Sequence, residues 1–135
     1  MGKTRSELRE KAMVILYQVD ILKNNNVEFS VENLIEENLE VDNEFVRNIV
    51  YGVITHIDSL DELANKYMKD WSINRIDKTG AAILRIGLYE MLYEDETPNV
   101  VAINEAIELS KTYSDEAVTK MINGVLDKIY HEEEK

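Results

Sequence analysis

The stretch NRIDKTGAAILRIGLYEML, Asn74 to Leu92, decides the fold. Ile76, Ala81, Ala82, Ile83, Leu84, Ile86, Leu88, Met91 and Leu92 are too evenly spread for the one-sided stripe of a surface helix. A helix apolar nearly all round belongs at the centre of a protein. The segment, opening at Ser72 or Asn74, therefore reads as a buried spine. Gly80 and Gly87 stand seven apart on it, where a missing side chain lets neighbouring backbones approach, and Gly87 takes a structural role on that ground.

Amphipathic helices flank this spine. Thr4 with Glu7 spells a capping box, and Leu8, Ala12, Ile15, Leu16, Val19 and Leu22 follow as one stripe ending near Asn24 to Asn26. Ser30 caps a short second helix, and Asp42 or Asn43 opens a third whose stripe runs from Phe45 to Ile57 and on to Tyr67. So long a run predicts a break at Asp58 or Ser59. Beyond the spine, the acidic turn Glu94 to Pro98 leads into a helix over 100–113. Ser114 then caps a last helix striped by Val118, Met121, Ile122, Val125, Leu126 and Ile129, before a frayed HEEEK tail. One proline, five glycines and few alternating runs predict an all-α fold. About seven helices in two sub-bundles would share one core, with 1–135 as a single domain.

The chain has no cysteine, which excludes thiol nucleophiles, zinc-thiolate sites and disulfides and points to the cytoplasm. The charged N-terminus and the lack of an apolar run near the roughly 20 residues of a membrane span predict neither signal peptide nor anchor. Gly2 and Ser6 fit the outline of a myristoylation signal, but Arg5 and the helical context make that match accidental. His56 and His131 lie outside any Glu-x-x-His pattern, and there is no phosphate loop or nucleophile elbow. No catalytic residue, metal or cofactor is predicted, and the chain does not read as an enzyme.

A net charge of −12 opposes bulk attraction to nucleic acid. The charge is uneven, however. Lys3, Arg5, Arg9 and Lys11 outnumber Glu7 and Glu10 at the N-terminus, and Lys66, Lys69, Arg75, Lys78 and Arg85 outnumber Asp70 and Asp77 over 66–85. Such islands form a directed patch if the fold brings them together. In VVAINEAIELSKTY, Val100 to Tyr113, Asn104 lies one turn from Thr97 and Pro98, so its amide is placed to tie the preceding loop to the helix. Glu105 suits a group on another helix better than Lys111.

VAINEAIELSK, followed by INGVLDK (Ile122 to Lys128), AILRIGLYEM (Ala82 to Met91) and LREKAMVILYQVD (Leu8 to Asp20), closely resembles the NusB family of bacterial transcription antitermination factors. The four blocks cover nearly the whole chain in order. The resemblance implies a NusB-like fold without enzymatic activity, binding to boxA leader RNA of ribosomal RNA operons, and partnership with the ribosomal protein NusE. It also implies work within the transcription elongation complex with other Nus factors, no membrane role, and homodimers in some members.

Carried over, the resemblance implies RNA contacts by Lys3, Arg5, Arg9, Tyr17, Tyr67, Lys69, Arg75, Lys78, Tyr113, Lys120 and Met121. It implies partner contacts by Arg9, Tyr17, Tyr67, Asp77 and Gly80, and structural roles for Asn104, Glu105, Asn123 and Gly124 beside Gly87. Arginines and lysines would hold phosphates while tyrosines stack bases. This requires Arg9 and Tyr17 on one side of the first helix, and the two basic islands in one groove. Ser6 and Glu7 interrupt the family's N-terminal arginine cluster, and Gly80, Ala81, Ala117 and Met121 depart from its pattern. Fewer cations predict weak binding to RNA alone and useful binding only with NusE. Two other readings are an acidic helical scaffold working through protein contacts, and a fragment of a ribosomal RNA methyltransferase N-terminal domain. No segment of Rossmann type supports the latter, and no exposed basic reading face supports a helix-turn-helix DNA binder.

Overall fold

Except for the fourth and sixth, the helices begin at a side-chain oxygen that accepts from their unpaired N–H groups. In the computed structural model, which describes residues 3–133, these are α1 (Arg5–Asn24), α2 (Val31–Asn38), α3 (Glu44–Thr55), α4 (Ile57–Tyr67), α5 (Lys78–Tyr93), α6 (Asn99–Tyr113) and α7 (Glu116–Glu132). Gly2 of the myristoylation outline and the last two residues of HEEEK lie outside the described residues. Thr4 and Glu7 close the capping box of α1, Ser30 accepts from the N–H of Asn33, and Asn43 accepts from that of Val46.

Three boundaries differ from the sequence reading, each for a local reason. The spine begins at Lys78 rather than Ser72 or Asn74. The Asp77 carboxylate accepts from the N–H of Gly80, and Asn65 Oδ1 takes the N–H of Ile73 into a loop. Asp115, not Ser114, caps α7 by accepting from Val118; Ser114 ends α6 and donates its hydroxyl to Asp77 Oδ1 at 2.9 Å. The α3–α4 break falls at His56, which serves as the C-cap of α3 and the N-cap of α4. Its ring stacks on Tyr93, centroids 4.1 Å apart. His131 lies on α7, 3.5 Å from Asp127, so the helix continues into the expected frayed tail.

α5 is buried from Gly80 to Leu88 and packs against α1, α3, α4, α6 and α7. α1 packs on α2 and α3, α6 packs on α7, and α4 touches α3, α5 and α7. The two sub-bundles share one core, in which Ile15, Ile49, Ile83, Leu84, Leu88, Ile122 and Leu126 are fully enclosed. Gly87 is what lets α6 and α7 close on the spine, since a Cβ there would stand 3.0 Å from Leu126 Cδ1 and 3.3 Å from the Ala106 Cβ. Gly87→Val should therefore overpack this crossing and lower unfolding free energy by about 1–3 kcal/mol. Chemical denaturation measures this, and an unchanged midpoint would contradict the close approach.

Candidate nucleic-acid and partner interface

The charged side chains divide into those spent inside the fold and those left at its surface. Arg9 belongs to the first group. It is 3% exposed; its Nε and Nη2 donate to the two Glu90 oxygens at 2.7 and 2.8 Å, and its Nη1 donates to Glu105 Oε1 at 3.0 Å. Burial alone would lower its affinity for a proton, but the hydrogen bonds and charges of Glu90 and Glu105 outweigh this and raise it above the ordinary value. Arg9 thus points inward whereas Tyr17, two turns on, is exposed, which corrects the assignment of Arg9 to RNA and partner contacts.

Glu105 also accepts from the Ser6 hydroxyl, so it fastens α6 to α1 from another helix's side. Asn104 beside it is exposed and makes no side-chain hydrogen bond among the described residues, so the loop anchor expected there is absent. Gly80 is buried under Val118, which removes it as a partner contact, whereas Asp77 caps α5 and accepts from Ser114 while remaining exposed. Asn123 and Gly124 face solvent, and a Cβ at Gly124 would meet nothing within 4 Å, which corrects their structural assignment.

Lys69 of one basic island and Arg9 of the other line different depressions. On the α1 flank, Lys3 pairs with Glu7, the Arg5 guanidinium sits 4.1 Å over the Phe45 ring, and the Tyr113 hydroxyl donates to Glu10. Asp20, ten residues on from Glu10, meets Lys78 at 3.7 Å and Arg85 at 3.4 Å, so Tyr17 lies on the stretch of α1 between these contacts. The depression between α1 and α6 is lined by Glu7, Glu10, Glu105 and Glu108 beside Tyr113, a poor place for phosphates. Arg75 is exposed and has no ion pair among the described residues.

The other predicted residues meet elsewhere. A groove of about 430 Å³ runs along the outer face of α7, walled by Tyr67, Lys69 and Trp71 on one side and by Lys120, Met121 and Lys128 on the other. Lys69 and Lys128 make no ion pair among the described residues, and Lys120 is held only by the exposed Glu116 at 3.4 Å. Trp71 is 40% exposed. Ala117 and Gly124 keep the α7 side low, and Asp70 contributes the groove's carboxylate. The arrangement offers three cations and two aromatic faces, the combination that holds a single-stranded nucleic acid. Trp71 and Lys128 were missed by sequence reasoning, although the lone tryptophan standing in the second basic island was a usable signal. Among the described residues no cluster of metal-ligating side chains occurs, and no helix is long and apolar enough to cross a membrane.

The model of the NusB family matches residues 6–131. The transcription antitermination protein NusB of Bacillus cereus is 42% identical over 93% of this chain and 95% of its own length, and the Bacillus anthracis protein of the same name gives the same figures. Among solved structures, a NusB from T. maritima superposes with a TM-score of 0.86 at 31% identity, over 98% of this chain and 94% of that one. The structure of NusB and NusE in complex with double-stranded RNA gives 0.81 at 26% identity, over 98% and 99%.

Removing Arg9 strands Glu90 in the core, so Arg9→Ala should cost about 3–5 kcal/mol. Exposed Asn104→Ala should cost under about 0.5 kcal/mol, since its amide holds nothing in place. Thermal and denaturant unfolding of both variants check this; similar losses at the two positions would contradict the inward orientation of Arg9.

Proposed function

The chain belongs to the NusB family, and from that premise we propose that it is a transcription antitermination factor that binds boxA leader RNA of ribosomal RNA operons jointly with NusE. Its work is binding, in the cytoplasmic transcription complex, with no catalytic step. The observation that carries the reading is the α7 groove, where Lys69, Lys120 and Lys128 face one opening beside Tyr67 and Trp71 in a chain of net charge −12. Phosphates would be held by the three lysines, and bases would stack on the tryptophan and tyrosine faces, each stack contributing on the order of 1–3 kcal/mol. Met121 supplies an apolar surface in the same groove.

Tyr17, with Lys78 and Tyr113 bordering its stretch of α1, is our candidate surface for NusE, because it presents an exposed aromatic beside polar groups. Three lysines can neutralise few phosphates, and the surrounding carboxylates repel the strand, so RNA affinity without NusE should be low. Arg9, Arg47 and Arg85 are all held by carboxylates of the protein itself, and this withdrawal of cations is what favours the second reading, an acidic scaffold working through protein contacts.

Filter binding of a boxA oligonucleotide to the protein, to NusE and to the mixture separates the two. The mixture should bind at least about tenfold more tightly than either component. K120A/K128A should weaken that binding and flatten its salt dependence by about 0.7 for each phosphate no longer neutralised. Equal affinity with and without NusE would refute joint binding. An unchanged affinity in the double variant would remove the groove from the reading.

A further inference from the structure

At the last turn of α4, two donors from consecutive residues reach a single oxygen. Tyr67 Oη donates to Glu133 Oε2 at 3.0 Å, and Lys66 Nζ lies 3.5 Å from the same atom. The Lys66 ammonium also stands 5.2 Å from the Tyr67 ring centroid. A hydroxyl and an ammonium aimed at one anionic oxygen recognise a phosphate oxygen as readily as a carboxylate. Glu133 is the residue that ends α7, so the anion filling this position comes from the chain itself.

Tyr67 links this position to the α7 groove, because its ring lines the groove while its hydroxyl reaches Glu133. Lys66 and Glu133 line a second depression with Leu63, Leu92 and Tyr93. Lys66 and Glu133 are open to solvent, at 63% and 34% side-chain exposure, so water screens their attraction and the pair contributes little to folding. Its effect falls on the groove instead. Glu133 occupies two donors and leaves a negative charge where a strand would leave the lysines. Burial, together with hydrogen bonds to Glu133 and to the neighbouring Glu132, pushes the Tyr67 hydroxyl up to about 12, so it remains a donor at neutral pH for whichever anion is present.

We propose that Lys66 and Tyr67 form a phosphodiester-binding subsite extending the α7 groove, which Glu133 fills in the free protein as an intramolecular stand-in for phosphate. The proposal rests on the groove being the RNA track. A bound strand displaces the carboxylate, seats one more phosphate and relieves one repulsion. The strength of RNA binding is thereby set partly by a residue that never touches the RNA.

The test is binding of the boxA oligonucleotide to the full chain with NusE across a salt series, using E133Q, K66A, K66A/E133Q and K120A/K128A. E133Q should bind about threefold to tenfold more tightly than the wild type, with a salt slope steeper by about 0.7, the increment for one further phosphate of a single strand. Adding K66A should remove the gain, so that K66A costs at least threefold more in the E133Q background than in the wild type. Unchanged affinity in E133Q would overturn the subsite, and so would a gain that K66A leaves in place, which would mark a general charge effect. If K120A/K128A weakens binding while E133Q changes nothing, this inference alone falls. If K120A/K128A also has no effect, the groove reading falls with it.

Discussion

Arg9 and Glu90 meet with side-chain exposures of 4% and 1%, and the placement of α1 on α5 follows from that encounter. α5 is enclosed on every side, yet it carries Arg85 and Glu90 among its buried residues. A charge in that position is tolerated only with a partner of opposite sign and good hydrogen-bond geometry. α1 supplies both: Arg9 for Glu90 near one end, and Asp20 for Arg85 near the other, with Asp61 of α4 taking the remaining Arg85 donors at 2.8 and 2.9 Å. Because the two pairs have reversed polarity, sliding α1 along α5 would separate both at once. Apolar packing favours the crossing, and the charges select its register.

This selection shapes the surface. Arg9, Arg47 and Arg85 are drawn against carboxylates, so the outward electrostatics are left mainly to lysines. Among those, Lys69 and Lys128 face an opening walled by Tyr67 and Trp71. The contrast with the α1–α6 depression is chemical as well as spatial, since four glutamates line the latter. An acidic protein thus keeps a short cationic strip without an overall field that would attract nucleic acid indiscriminately.

The spine was legible because a helix apolar on all faces has one place to go, and most caps were legible because Thr4, Ser30 and Asn43 are the side chains that satisfy free N–H groups. What misled were positions where one residue type serves two ends. An arginine in a basic N-terminal segment looks like a phosphate ligand, and only the distant Glu90 and Glu105 reveal Arg9 as an internal strut. Asn104 looked tied to a loop but faces solvent. The α7 groove was half visible: Tyr67, Lys69, Lys120 and Met121 were identified singly, but their juxtaposition depends on how α4 ends against α7, which no local pattern encodes.

The joint at His56 carries a further consequence. One residue separates α3 from α4, whereas residues 25–30 and 68–77 give the chain slack elsewhere. An insertion in either of those loops leaves each helix free to keep its rotation, but a single residue added at the joint would turn α4 by about 100° about its axis. Leu60 and Ala64 would swing out of the core, and Lys66 and Tyr67 would leave the edge of α7. The spacing between α3 and α4 therefore works as a fixed gear, coupling the hydrophobic phase of one helix to where the other delivers its terminal side chains.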